Sequence, residues 1–203
     1  MNLPNKITMV RIFLTLVVIF ILVFPFYLIG INVPTLILSR NDINIAIDIR
    51  FLIAGVIFVI AAITDYLDGF LARKMNLVTD QGKVMDAIAD KILVNSTLII
   101  LTAYGFIGPV IPVLVIGRDA VVDILKNLAG NKGHVIAASK MGQIKTVVML
   151  VAIALILFYN LPFALFNINV AMFLLVFATG LSIVSGIEYY YNLKKFIFPK
   201  TEK

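Results

Sequence analysis

Residues Asp65 to Asp90 read DYLDGFLARKMNLVTDQGKVMDAIAD, between two long apolar runs, FLIAGVIFVIAAIT before and KILVNSTLIILTAYGFIG after. Five of the chain's 11 acidic residues fall in this stretch: Asp65, Asp68, Asp80, Asp86 and Asp90. The surroundings make that concentration unusual. The 203-residue chain is 62% hydrophobic and only 14% charged, with a mean hydropathy of +1.07. Soluble domains average roughly half apolar and about a quarter charged residues. A water-soluble fold of this length cannot hide so much apolar surface, so the chain reads as an all-α polytopic membrane protein.

Crossing a hydrocarbon layer of ~30 Å takes about 20 helical residues. Six segments qualify, at about 10–31, 46–72, 83–106, 108–129, 143–160 and 166–191. The alternation of a membrane barrel is missing, and lipid offers no partner for open backbone groups, so helices are expected throughout. Turn chemistry marks the breaks: NVPTLILSRND, YGFIGP and YNLPF. Lys6 and Arg11 precede an apolar run as in a signal peptide, but no small-residue cleavage pattern ends it, and it reads as a retained helix. Pro4 suits a first helical turn, and Asn5, Thr8 and Arg11 recur every three residues, so residues 1–9 are expected to form a short interfacial helix. Residues 1–203 read as one domain with 65–90 as its signature.

The charges follow topology. Fourteen of the 17 basic residues gather on one side of the predicted spans: Lys6, Arg11, Arg73, Lys74, Lys83, Lys91, Lys126, Lys132, Lys140, Lys145 and the four C-terminal lysines. That side, with both termini and the Asp-rich stretch, is expected to be cytoplasmic. Arg40 and Arg50 lie on the other, near Asp42 and Asp48. The net charge of +6 does not form a basic stripe with interleaved aromatics, so no nucleic-acid partner is expected. The absence of cysteine excludes disulfides, thiolate metal sites and Cys nucleophiles. The single histidine, His134, reads as a loop residue, and Tyr189–Tyr191 as an interfacial aromatic belt.

Spacing turns the opening stretch into geometry. Asp65 and Asp68 stand at i, i+3, and Asp86 and Asp90 at i, i+4, which places each pair on one helix face. Gly69 and Ala72 continue the first face, and Gly82 opens the second. Joined by a turn near residues 76–81, the two faces are expected to confront each other as a helical hairpin. Four facing carboxylates repel unless neutralised. Oxygen-only ligands suit hard cations, Mg²⁺ or Mn²⁺ rather than zinc, and a two-ion site holds phosphates well. Glycines at 69 and 82 let a ligand approach the backbone. Asp80 falls outside the pattern.

Written out, Asp65-x2-Asp68-Gly69-x2-Ala72-Arg73-x8-Gly82-x3-Asp86-x3-Asp90 resembles the signature of the CDP-alcohol phosphatidyltransferases, with every fixed position filled. That resemblance implies six helices and a transfer dependent on two divalent cations, in which an alcohol attacks a CDP-linked lipid and CMP leaves. It assigns metal ligation to Asp65, Asp68 and Asp86, general base chemistry to Asp90, which also stands with the metal ligands, and the CDP pocket to Asp65, Asp68, Gly69, Ala72, Arg73 and Gly82. A homodimer is implied by the resemblance alone.

The signature does not name the acceptor alcohol. Arg118, within an apolar helix where a guanidinium is costly, together with Lys140 and Lys145, points to an anionic, phosphorylated acceptor; an internal ion pair with Asp119 or Asp123 is the competing reading of Arg118. The segments MNLPNKITMVR, GRD, GQIKT and SGIEYY further resemble the bacterial phosphatidylglycerophosphate synthases of that family, implying CDP-diacylglycerol and glycerol 3-phosphate as substrates. Asp119 and Ala87 stand where that group often has Glu and Pro. The alternatives are a transferase using inositol phosphate, serine or phosphatidylglycerol, and, from a different class, a small cation or proton transporter.

Overall fold

The computed structural model describes residues 3–40, 43–74, 80–130 and 140–197. Among the described residues there are six helices: α1 (Leu3–Val23), α2 (Ile49–Lys74), α3 (Asp80–Ala103), α4 (Val110–Gly130), α5 (Lys140–Leu157) and α6 (Val170–Ile197). Among the described residues two of them, α1 and α6, carry unbroken stretches long and apolar enough to cross a membrane. In the others the apolar run shares the helix with the charged residues discussed below.

Two expectations for the first third of the chain are corrected. Residues 3–9 do not form a separate interfacial helix but are the first turns of α1. Pro4 lies in the first turn, where its missing N–H had no partner to lose, and nothing after it breaks the ladder. The same helix stops at Val23 rather than near residue 31, because Pro25 follows; a single 3₁₀ turn, Phe26–Ile29, then closes on Gly30 at φ 74°. The second correction is a hairpin, β1 (Thr35–Arg40) and β2 (Ile43–Asp48), paired antiparallel from Thr35↔Asp48 to Arg40↔Ile43. Residues 46–48 thus belong to a strand, and α2 starts at Ile49. Asp48 stops the strand by capping the helix: its Oδ1 accepts from the Arg50 backbone N–H at 2.8 Å.

The helices pack on a shared apolar core whose members recur at helical spacing. Val18 and Leu22 of α1, Phe51, Ala54 and Phe58 of α2, and Met149, Ile153 and Leu157 of α5 are buried there. Small residues set the closest approach. At Gly55 a side chain would stand 3.1 Å from the Phe158 ring, so glycine lets the start of α2 press against the end of α5. Three buried hydroxyls are satisfied within their own helices: Thr15 donates to the Arg11 carbonyl at 2.8 Å, Thr97 to Leu93 at 2.7 Å and Thr179 to Leu175 at 2.8 Å. The outer surface is apolar, with Phe13, Val113, Val147 and Phe173 all exposed. Such continuous apolar surface requires a non-aqueous neighbour.

Candidate active site

The start of α1, the end of α2 and the start of α3 meet at one end of the bundle. The buried face of α1 is polar there: Thr8, Arg11 and Thr15 are almost wholly enclosed, and Arg11 has no exposed surface. Arg11 pairs through Nη1 with Asp65 Oδ1, and its Nη2 lies 2.8 Å from Asp86 Oδ1. One guanidinium therefore ties a carboxylate of α2 to a carboxylate of α3. Among the described residues α1 packs on both helices, while α2 and α3 touch each other little. The expected hairpin named no third helix; among the described residues Asp65 and Asp86 meet through Arg11 of α1. Charge repulsion explains the difference, since the two acidic faces are held together through an opposite charge.

The other signature positions, Asp90 apart, can be placed only on their helices. Asp68, Gly69, Ala72 and Arg73 lie on α2; Gly82 and Asp90 lie on α3. The side chains of Asp68, Ala72 and Arg73 are outside the described residues, as are most of the expected turn at 76–81, His134, and the side chain of Lys140, which opens α5. Among the described residues, no three acidic, histidine or cysteine side chains converge into a metal cage. The donor chemistry nevertheless fits a hard cation. Asp65 and Asp86 already share one positive group, and Asp86 Oδ1, though close to Arg11, is shielded from solvent without a directed hydrogen bond.

Beyond Asp86, α3 leads into a cavity of about 250 Å³. Asp90, Lys91 and Asn95 of α3, Arg118, Asp119 and Asp123 of α4, Lys145 of α5 and Tyr189 of α6 are among the residues lining it. The sequence-predicted Asp90, Arg118 and Lys145 thus share one cavity. Asp119 is the hub of its charges: Oδ1 accepts from Arg118 Nη1 at 2.7 Å and from Lys145 Nζ at 2.8 Å. Arg118 is fixed further by Nε donating to the Ser182 carbonyl at 2.9 Å and Nη2 to Ser185 Oγ at 2.7 Å. Gly186 makes room for it, since a side chain there would meet Arg118 at 3.0 Å. Lys91 pairs with Asp123 across the same cavity.

Arg118 therefore forms the internal ion pair weighed against ligand recognition, yet Asp119 balances only one of its two cationic partners. Tyr189 was misplaced by sequence reasoning. It is buried against Val122, Ala129 and Leu193, with Lys126 Nζ 4.7 Å from its ring centroid, whereas Tyr190 and Tyr191 are exposed. Arg11 enters the sequence reading through topology and the polar stripe with Asn5 and Thr8; its position on an apolar helix is the signal that it needs an internal partner.

This arrangement of six helices with carboxylates beside a cationic cavity accompanies a family match over residues 1–184, and the chain belongs to the CDP-alcohol phosphatidyltransferase family. It is similar to the CDP-diacylglycerol–glycerol-3-phosphate 3-phosphatidyltransferase of Bacillus subtilis, with 36% identity over 93% of both chains. Proteins of the same name from Mycoplasma pneumoniae and Rickettsia felis are 37% and 29% identical, over 75% and 96% of this chain and 66% and 97% of their own.

Proposed function

We propose that this chain transfers the phosphatidyl group of CDP-diacylglycerol to glycerol 3-phosphate, giving phosphatidylglycerophosphate and CMP. The observation that carries the reading is that Asp90, one turn along α3 from Asp86, opens into the same cavity as Arg118 and Lys145. Family membership and the names of the relatives support it. In this proposal the whole chain is one membrane domain with six spanning helices, and the polar end and both termini face the cytoplasm. The diacyl tails then remain in lipid while the nucleotide stays in water. The homodimer implied by the family resemblance is retained as part of the proposal.

The division of labour follows from residue chemistry. Asp65, Asp68 and Asp86, with Asp90 at their edge, would hold two divalent cations, Mg²⁺ or Mn²⁺. Such ions, when bound, neutralise the diphosphate and stabilise the departing phosphate oxygen. Gly69, Ala72, Arg73 and Gly82 flank the cytidine diphosphate. Arg118 and Lys145 have N–H groups beyond those committed to Asp119, and with Lys140 they receive the acceptor's phosphate. Asp90 takes the proton from the acceptor hydroxyl as its oxygen bonds to the lipid-side phosphorus. The phosphoanhydride bond breaks, and its electron pair leaves with CMP.

The transporter reading requires broken helices around carboxylates near the membrane midplane; α2 and α3 instead run through Asp65 and Asp86 without interruption. The test is CMP release by purified protein given CDP-diacylglycerol and, separately, glycerol 3-phosphate, inositol phosphate, serine or phosphatidylglycerol. Stimulation by glycerol 3-phosphate is expected. Stimulation only by another alcohol would replace the acceptor while keeping the reaction class.

A further inference from the structure

Asn95 is a polar residue on the apolar part of α3, between the buried Leu93 and Leu98. It stands one turn beyond Lys91 and lines the same cavity as Asp90, Arg118 and Lys145. Its Oδ1 is shielded from solvent and has no hydrogen-bond partner among the described residues. An amide oxygen left this way is costly, and the cost is recovered when a ligand brings a donor to it. The remaining cavity chemistry indicates which donor is needed. Cations dominate the wall near Asp119 and suit phosphate oxygens, which bring no proton to a carbonyl. Asp90 is committed to the hydroxyl that reacts.

Resting on the proposed transfer to glycerol 3-phosphate, we infer that Asn95 is a specificity residue whose Oδ1 accepts a hydrogen bond from the acceptor's second, non-reacting hydroxyl. A neutral amide can do this beside a phosphate, where a carboxylate would repel it. Asn95 thereby makes the site one for a phosphorylated diol rather than a phosphorylated simple alcohol. A site built to bond a hydroxyl rejects the analogue lacking it far more strongly than an apolar pocket does, because the protein's own polar group is left unpaired.

The experiment compares glycerol 3-phosphate with 3-hydroxypropyl phosphate, which lacks only the middle hydroxyl, as acceptors for the purified full-length protein with CDP-diacylglycerol. Wild type should prefer glycerol 3-phosphate by at least about 100-fold in kcat/KM. Asn95→Leu, close in size, and Asn95→Ala, which relieves crowding should leucine prevent folding, should lose most of that preference. They should do so by slowing glycerol 3-phosphate, with the KM for CDP-diacylglycerol unchanged. A preserved preference in either folded variant, an equal loss on both acceptors, or no preference in wild type would overturn the role of Asn95 while leaving the proposed reaction standing. Absence of CMP release from wild type with glycerol 3-phosphate would overturn the reaction itself, and the role of Asn95 with it.

Discussion

The two ends of the bundle handle charge in opposite ways. At the end formed by the start of α2 and the ends of α3 and α5, Arg50 meets Asp48 through Nε at 2.9 Å and Nη2 at 2.6 Å. The Asp48 backbone N–H donates to Tyr159 Oη at 2.9 Å. Phe51, Tyr104, Phe106 and Tyr159 interlock beside this pair with ring centroids 5.0–5.9 Å apart, an edge-rich packing that aromatic quadrupoles favour. One cation answers one anion, two residues apart in sequence. At the other end, one guanidinium serves Asp65 and Asp86, and one carboxylate serves Arg118 and Lys145. Locally closed pairs brace helix ends; shared charges join helices distant in sequence and retain capacity for a ligand.

That contrast can be broken by substitution. The largest effect is expected for Arg11→Met, which leaves Asp65 and Asp86 facing each other without their common counter-charge. Removing one partner of a buried pair costs about 3–5 kcal/mol, and the lower figure is expected because Asp86 is 44% exposed. Thermal unfolding without divalent cations should show the loss, and Arg11→Lys should recover only part of it, because an ammonium lacks the two-pronged fork. An unchanged unfolding temperature in Arg11→Met would remove Arg11 as the link.

Arg118→Ala comes next. It should raise the KM for glycerol 3-phosphate about 10- to 100-fold, the loss of a charge-assisted bond to phosphate, with the KM for CDP-diacylglycerol little changed. A rise in both constants together would show that Arg118 only braces α4 against α6. The smallest effect belongs to the opposite end: Asp48→Ala should cost about 1 kcal/mol, the value of a helix cap and a partly exposed pair, and leave turnover near normal. A large loss of turnover there would show that the two ends are coupled.

Helix number and the acidic register were legible because they are local properties. Apolar length fixes a helix, and the i, i+3 and i, i+4 spacings fix a face. The hairpin was missed: INIAID alternates, but NVPTLILSRND reads as a break and residues 46–48 fall inside the predicted second span. Pro25 ends α1 at Val23, a stop that apolar length alone does not register. Sequence reasoning could not supply the partners of Arg11, which lie 54 and 75 positions away at Asp65 and Asp86, or the inward turn of Tyr189. Both depend on how separate helices pack, and a single chain's periodicity does not carry that information.

The proposed reaction turns on Asp90 taking the acceptor's proton in the cavity it shares with Arg118 and Lys145. Its most direct test measures glycerol 3-phosphate-dependent CMP release and CDP-diacylglycerol binding side by side for wild type and Asp90→Asn. The amide should lower turnover by about 10²–10⁴-fold, the usual contribution of a positioned base, while the CDP-lipid still binds. Turnover near the wild-type rate in Asp90→Asn would contradict the assignment.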